Sequence, residues 1–356
     1  MKNPSLFLSL FSLSLVSPAF ADTFVLKDGT RLEAKVLSET ADAYLLEVQV
    51  TKSIKDEKSV PKADVKEIVR EKLDETAYEK LKGLVPTPDL LTTDEYDRRI
   101  LALNKFIKDH PKSPKVTDVN AMLATLKTEG TAIQSGGMKL NGALVSADEY
   151  KANAYEIDAK IQETRVREFL AKGDILSALR GISRIESEFA TTATAASLAP
   201  VKRQALQAYK TQIGDQLRTF DAREAERKSG LARMTGEDRA TTEQAIAEEE
   251  AQFERRFKAE KDSQQVWTIT NPFNKDSLEG ARDAISRASQ DSRSDEVKGD
   301  GGKAYRDAWS AIHSWDGKDE TKDSVKDAVD KVKDLEVPEK YVSLLADAAK
   351  TKGIDL

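Results

Sequence analysis

The spacing of apolar residues changes once along this chain, near residue 73. Before that point apolar and polar residues alternate, as where Leu32, Ala34 and Val36 are separated by charged residues. Alternation of period two is typical of half-buried strands. From residue 75 onward apolar residues recur three and four positions apart, which predicts amphipathic helices. We therefore expect an α+β protein that is mostly α, with a small β unit near its N-terminus.

The alternating segment predicts five short strands between residues 23 and 70. An Asp28–Gly29 pair follows the first of them, and this dipeptide is a signal for a tight hairpin turn. We expect the strands to form a small SH3-like β-barrel, because closure protects strand edges from unwanted pairing. A curled open sheet is the alternative.

The helical part predicts a series of hairpins. A capping box of Ser146 and Glu149 begins one long helix, which we expect to continue through Lys172, and two later helices are expected near residues 276–289 and 319–334. Apolar residues from Leu206 to Phe220 form a coiled-coil-like seam, and the helical pattern at 237–262 supplies a return partner. The expected organisation is a signal peptide at 1–21, a small β-barrel-like domain at 22–72, a helical hairpin domain at 73–195, a long antiparallel helical hairpin at 196–265 and a C-terminal helical domain at 266–356.

The first 21 residues have the features of a secretory signal peptide. Lys2 precedes an apolar run from Leu6 to Val16, and the run is followed by Ala19-Phe20-Ala21, a small-x-small cleavage site. The apolar run is about 11 residues long, whereas a membrane-spanning helix needs about 20. We expect cleavage before Asp22, a periplasmic or secreted product, and no stable membrane insertion after cleavage.

The composition of the chain excludes several kinds of functional site. The chain has no cysteine, so disulfides, thiolate metal sites and thiol nucleophiles are excluded. Its 56 basic and 62 acidic residues give a net charge of −6, and the two signs are interleaved along the chain. No segment concentrates lysine and arginine as a phosphate-binding surface requires, so we expect no nucleic-acid partner.

No catalytic, cofactor or metal residues are predicted. The two histidines, His110 and His313, lie far apart in the sequence and in neither His-x-x-x-His nor His-Glu pairs. Residues 295–307 lack the ligand spacing of a calcium loop, and Gly299–Gly302 is not followed by the Lys-Ser/Thr of a phosphate loop. Most carboxylates lie beside lysine or arginine on polar helix faces. We expect no cofactor and no enzymatic activity, with a carboxylate-only active site as a remaining alternative.

All three tryptophans, Trp267, Trp309 and Trp315, lie in the C-terminal third of the chain. Exposed aromatic side chains outside the cytoplasm often stack on sugars. Tyr305, Trp309 and Ile312, however, have the spacing of a buried helical stripe, so we expect them to form core packing.

The segment Pro86-Thr87-Pro88-Asp89-Leu90 stands between a β-rich start that contains Leu26-Lys27-Asp28-Gly29-Thr30 and an all-helical body. This arrangement resembles the PTPDL family of exported proteins of Verrucomicrobia-like bacteria, over about the first half of the chain. The family has no assigned activity. The resemblance therefore implies export and architecture, and it supplies no catalytic residues.

These observations favour a non-enzymatic scaffold of the bacterial envelope that binds an envelope protein partner. The alternatives are an envelope glycan-binding protein that uses its C-terminal aromatic residues and, third, an enzyme with a carboxylate-only site.

Overall fold

The computed structural model describes residues 22–49, 54–69, 73–290 and 299–356. These residues form a mostly helical protein with a small antiparallel sheet at the N-terminal end, as expected for an α+β protein. They divide into two compact units. The first consists of the described residues up to Val85 together with Ile100–Ala124, and the second of Pro86–Arg99 together with Thr125–Leu356. The expected signal peptide at 1–21 lies outside the described residues.

The first unit contains a five-stranded sheet. Its strands are β1 (Asp22–Leu26), β2 (Arg31–Glu39), β3 (Ala43–Gln49), β4 (Lys55–Pro61) and β5 (Val65–Val69). They lie in the order β4-β3-β2-β1-β5, and every neighbouring pair is antiparallel. Alternation places one set of apolar side chains on the inner face, where Phe24, Ala34, Leu46 and Val60 are buried.

The predicted turn between the first two strands is confirmed. Asp28 Oδ1 accepts a hydrogen bond from the backbone N–H of Thr30 at 2.8 Å, and Gly29 has φ = +89°, which favours glycine.

The expected SH3-like barrel is not shown. In the described part of the sheet, β4 and β5 are edge strands with no ladder between them. The sequence of β4 explains its exposed edge: this strand is rich in lysine and carboxylates and ends at Pro61, which cannot donate to a neighbouring strand. A one-turn 3-10 helix, Lys62–Asp64, joins the two edge strands.

Three helices follow the sheet: α1 (Leu73–Glu79), α2 (Thr93–Asp109) and α3 (Val116–Gln134). The two-stranded hairpin of β6 (Met138–Leu140) and β7 (Ala143–Val145) comes next. The remaining helices are α4 (Ala147–Ala152), α5 (Ala154–Ala171), α6 (Ile175–Glu188), α7 (Ala193–Ala196), α8 (Ala199–Arg218), α9 (Phe220–Arg233), α10 (Gly236–Asp262), α11 (Lys275–Gln290), α12 (Gly301–Ser314), α13 (Asp319–Asp334) and α14 (Glu339–Thr351).

One large apolar cluster holds the second unit together. It is built from the inward faces of α5, α6, α8 and α11 to α14. Aromatic rings occupy part of it: the ring centroids of Tyr155 and Tyr341 are 4.9 Å apart, and Phe189 stacks on Tyr155 at 5.7 Å. Because apolar side chains from seven helices meet in one cluster, these helices form a single packed body.

The helix predicted from Ser146 to Lys172 is broken. The predicted cap is confirmed, since Ser146 Oγ accepts the backbone N–H of Glu149 at 3.1 Å. Asn153, however, leaves the helical region with φ = −143° and ψ = 32°, and separates α4 from α5. The break lets Tyr150 on α4 donate a hydrogen bond to Asp158 on α5 at 3.0 Å.

The long hairpin predicted at 196–265 contains three helices. Leu206, Tyr209 and Ile213 of α8 belong to the large apolar cluster, where α8 packs against α6 and α11. The next two helices are far more exposed. No residue of α9 is buried, and Phe257 is the one buried residue among the 27 of α10.

Candidate functional site

The Pro86–Leu90 segment binds the β6–β7 hairpin. The turn of this hairpin is Asn141–Gly142, whose φ angles of 51° and 75° are those of a two-residue hairpin turn. The carboxylate of Asp89 accepts the backbone N–H groups of both turn residues, at 2.7 and 2.9 Å. Leu90 donates its backbone N–H to the carbonyl of Lys139 at 2.9 Å. The segment therefore fixes the position of the turn.

A buried polar cluster lies next to this contact. Lys139 Nζ donates to Thr87 Oγ1 at 2.8 Å and to Glu129 Oε1 at 2.7 Å. The other oxygen of Glu129 accepts hydrogen bonds from Tyr96, at 2.9 Å, and from Thr87. Burial opposes the charge of Glu129, but the hydrogen bonds from Lys139, Thr87 and Tyr96 outweigh it and lower the pKa of the carboxyl group.

A hydroxyl group beside an amine is the arrangement of some nucleophile–base pairs. Here the ammonium group of Lys139 forms an ion pair with Glu129, so it has no free lone pair with which to accept a proton. Thr87 and Lys139 are each 6% exposed, which leaves a substrate no approach to the hydroxyl. The cluster is a structural ion pair that joins the Pro86–Leu90 segment to α3 and β6.

A polar cavity of about 300 Å³ lies in the second unit. Asn141 of the hairpin turn lines it, so the Pro86–Leu90 segment positions one of its walls. The other lining residues come from α5 and the residue before it, from α7 and its C-cap, and from the start of α12: Asn153, Glu156, Lys160, Glu163, Ala193, Thr194, Ser197, Asp300, Gly302, Lys303 and Arg306.

Glu156 forms the buried base of the cavity. Its carboxylate accepts the backbone N–H groups of Ala193, at 2.9 Å, and Thr194, at 3.1 Å, and the hydroxyl group of Thr194, at 2.7 Å. A Cβ atom on Gly302 would lie 2.8 Å from Glu156 Oε2, so only glycine lets α12 approach this closely. The carboxylate is therefore fixed between α7 and α12, and its hydrogen-bonding oxygens face protein donors.

Most other charges in the cavity also have partners. Glu163 pairs with Arg167, Lys303 pairs with Asp307 at 2.5 Å, and Asp300 accepts the backbone N–H of Lys303 at 2.8 Å. Lys160 and Arg306 differ from them: in the described part of the chain, no carboxylate oxygen lies within 4.0 Å of either cationic group. The cavity thus has two cationic side chains, from α5 and α12, whose donors are not used by any residue that the structure describes.

A second cavity, of about 250 Å³, is lined by residues of α6, α8 and α11, and its lining is more apolar than that of the first cavity. Trp267, which is 4% exposed, forms part of it and donates Nε1–H to Ser183 Oγ at 2.9 Å. At its rim Lys202 and Glu186 form an ion pair at 2.6 Å. The indole of Trp267 is fixed by packing and by this hydrogen bond, so it offers no free face for sugar stacking.

The other residues of the C-terminal third that are candidates for sugar stacking or core packing are buried or partly buried. Trp309 and Trp315 pack against the large apolar cluster, and Tyr305 and Ile312 lie fully inside it. The ring of His313 stacks on Trp309 at 4.4 Å between centroids, and Trp315 donates Nε1–H to the carbonyl of Lys318 at 3.0 Å. Of the three residues predicted to form core packing, Tyr305 and Ile312 are therefore buried, and Trp309 lies at the edge of the cluster.

The two histidines lie in different units of the structure. His110 lies in the first unit against Phe106, with ring centroids 5.1 Å apart, whereas His313 lies in the second unit. Among the described residues, no group of three or more His, Asp and Glu side chains is placed to hold a metal ion. No helix in the described ranges is long and apolar enough to cross a membrane.

Comparison with known proteins found no relative. No family model matches the chain, and no curated protein or solved structure is significantly similar to it.

Sequence reasoning did not find the polar cavity. Its lining residues come from four separate segments, and no short motif links Lys160 to Arg306. One local signal exists, the Gly301–Gly302 pair directly after a capping aspartate, because two glycines at the start of a helix indicate a close approach of the backbone to a neighbour.

Proposed function

We propose that this protein is an exported, non-enzymatic scaffold of the bacterial envelope that binds a partner protein through α9 and α10. The observation that carries this proposal is the exposure of these two helices. A 27-residue helix is about 40 Å long, and one with a single buried residue gains little stability from its own protein. Long exposed helices of this kind are common in surfaces that dock other proteins.

The charge of α10 indicates the chemistry of the partner. Residues 236–250 contain six carboxylates and one arginine. Two of the carboxylates are in ion pairs, Glu243 with Arg239 at 2.8 Å and Glu250 with Arg227 at 2.7 Å. The others make this half of the helix acidic, so we propose a basic surface on the partner. An exposed interface of this kind should weaken as salt is added.

Within the second unit, α9 and α10 contact the loop that precedes α11. The guanidinium group of Arg227 lies 4.5 Å from the ring centroid of Phe273, and Asn274 donates to Glu254 at 2.5 Å. These contacts give α9 and α10 a defined starting direction, which favours a docking element over a loose tail.

Neutralising two exposed glutamates tests the docking surface. Glu248→Gln/Glu249→Gln should reduce capture of a specific envelope protein by the purified scaffold, and added salt should reduce capture by the wild type. The control is Asp323→Asn/Asp327→Asn on exposed positions of α13, which should leave capture unchanged. If both double variants capture the same proteins as the wild type at every salt concentration, docking through α10 is wrong.

Export is part of this proposal and has its own test. The resemblance of Pro86–Leu90 to the PTPDL family and the cleavage site at Ala19–Ala21 both support it. Intact-mass analysis of the protein from the envelope fraction should give a chain that begins at Asp22. A chain that retains residues 1–21 would contradict it.

The SH3-like barrel also stays a proposal. The two edge strands of the sheet are joined directly by the Lys62–Asp64 turn, which supports closure between them. Hydrogen exchange of the intact protein should then protect the outward amides of β4 and β5. Fast exchange of these amides would indicate an open sheet.

The glycan-binding alternative predicts a different result. Trp309→Ala should abolish binding of envelope polysaccharide without altering the unfolding temperature if Trp309 is a sugar platform. We expect instead a lower unfolding temperature, because Trp309 packs against the large apolar cluster.

A further inference from the structure

The polar cavity has the composition of a site for a small hydrophilic molecule. Apart from Ala193 and Gly302, every lining residue has a polar or charged side chain, and no aromatic ring lines it. Its volume of about 300 Å³ is at the lower end of the range for small-molecule pockets. This lining favours a hydroxylated ligand over a lipid or an apolar peptide side chain.

Two cationic side chains in the cavity have donors that no described residue uses. The three lining carboxylates accept hydrogen bonds or ion pairs from the protein, whereas Lys160 and Arg306 have no carboxylate partner in the described part of the chain. An ammonium group has three N–H donors and a guanidinium group five, and neither accepts hydrogen bonds. Two such groups on different helices facing one cavity are suited to an anionic group.

Asn153 adds an unsatisfied acceptor. Its Oδ1 atom is buried and accepts no hydrogen bond from any described residue, although buried polar atoms are normally satisfied. Because Asn153 lines the cavity, a rotation of its amide on binding would let a ligand hydroxyl group supply the missing donor. Ser197 and Asn141 line the same cavity and offer further hydrogen-bonding groups for hydroxyls.

We propose that this cavity binds a small hydroxylated organic anion, such as a sugar acid or sugar phosphate, through Lys160 and Arg306. The anionic group pairs with the two cations, and the hydroxyl groups face Asn153, Ser197 and Asn141. Asp89 acts as a positioning residue, because it fixes the turn that carries Asn141. This site is independent of the docking surface on α10.

The test compares three ligands that share one sugar ring. Glucuronate, glucose 6-phosphate and glucose are titrated into the purified protein at low salt by calorimetry. We expect at least one of the two anions to bind at least about tenfold more tightly than glucose, which differs from them by its lack of charge. If neither anion binds more tightly than glucose, the proposal is overturned.

Variants locate the site. Lys160→Gln and Arg306→Gln should each weaken binding of the anion at least about tenfold. Lys210→Gln and Arg203→Gln, at exposed positions of α8, are the matched controls and should leave affinity unchanged. Ala193→Leu places a larger side chain at the cavity without removing a side-chain hydrogen bond, and should also block binding. Unchanged affinity in both Lys160→Gln and Arg306→Gln would overturn the proposal.

A further titration distinguishes a free anion from the end of an acidic polysaccharide. If an oligomer of galacturonate binds more tightly than monomeric galacturonate, the ligand is the end of an acidic polysaccharide. Equal or weaker binding of the oligomer identifies a free solute. Both results support the site, whereas binding of neither form, together with no binding of glucuronate or glucose 6-phosphate, contradicts it.

Discussion

Asp89 accepts a hydrogen bond from the backbone N–H of Asn141 at 2.7 Å, across 52 positions of sequence. Because the neighbouring N–H of Gly142 binds the same carboxylate, one side chain holds both central residues of a hairpin turn. The Pro86–Leu90 segment therefore holds the turn of the β6–β7 hairpin in position. Its two prolines have no N–H to donate, and the segment ends in a turn in which Leu90 has φ = +58°.

Asp89→Ala should destabilise the protein by about 1–3 kcal/mol, because it removes a charged acceptor from two backbone N–H groups. Asp97→Ala, at an exposed position of α2, is the control and should change stability by less than about 0.5 kcal/mol. Urea unfolding measures both. Equal stability of the two variants would show that the hydrogen bonds of Asp89 contribute nothing to the stability of the fold.

The buried ion pair predicts non-additive effects. Lys139→Met leaves the carboxylate of Glu129 buried without its cation and should cost about 3–5 kcal/mol. The double variant Lys139→Met/Glu129→Gln should be more stable than Lys139→Met alone, because its buried side chains are neutral. The measurement is a double-mutant cycle at neutral pH, and additive losses would contradict the prediction.

Sequence reasoning predicted the elements better than the contacts between them. The helices predicted near 276–289 and 319–334 are α11 and α13 within one residue at each end, because their apolar spacing is regular. The break at Asn153 was missed because the capping pattern and the apolar spacing continue through it. Asn153 breaks the helix where Tyr150 reaches Asp158, and that contact is visible only after folding.

The site was harder to predict for the same reason. Lys160 and Arg306 each look like ordinary members of a polar helix face, and only the packing of α5 against α12 brings them to one cavity. Asp89 likewise has no local signal, because its partners are far away in sequence. Local patterns report periodicity and turns, whereas the cavity depends on long-range packing.

Three tyrosines should ionise only at unusually high pH in the folded protein. Burial raises the pKa of Tyr150 to about 12, with a further contribution from the negative charge of Asp158, and it also raises the pKa values of Tyr305 and Tyr341. A raised folded-state pKa stabilises the native protein at pH values below about 10, and this contribution is lost as the pH rises through the folded pKa. Ultraviolet titration should therefore show late tyrosinate formation that coincides with alkaline unfolding.

Asp158 provides the control for this titration. It accepts hydrogen bonds from Tyr150 at 3.0 Å and from Tyr341 at 2.7 Å. Asp158→Asn removes its charge, so the late tyrosines should ionise at lower pH than in the wild type. Asp347→Asn, at an exposed position of α14, should leave the titration unchanged. Tyrosines that all ionise near their ordinary pKa in the wild type would contradict the prediction.

Gly302→Ala should destabilise the protein because of the close approach of α12 to Glu156. The added Cβ would lie 2.8 Å from Glu156 Oε2, and that oxygen is fixed by the backbone N–H of Ala193. Displacing either group should cost about 1–3 kcal/mol. Gly280→Ala is the matched control: it lies within α11 with no atom near its added Cβ, so the same change should stabilise by about 0.5–1 kcal/mol.

The cause of the Gly302→Ala effect can be separated from general helix effects. Glu156→Ala removes the carboxylate that the new methyl group would strike, so the double variant Gly302→Ala/Glu156→Ala should lose less stability than the sum of the two single variants. Urea unfolding of all four proteins gives this coupling directly. Additive losses would show that Glu156 does not limit the approach of α12, and stabilisation by Gly302→Ala would show that no clash exists.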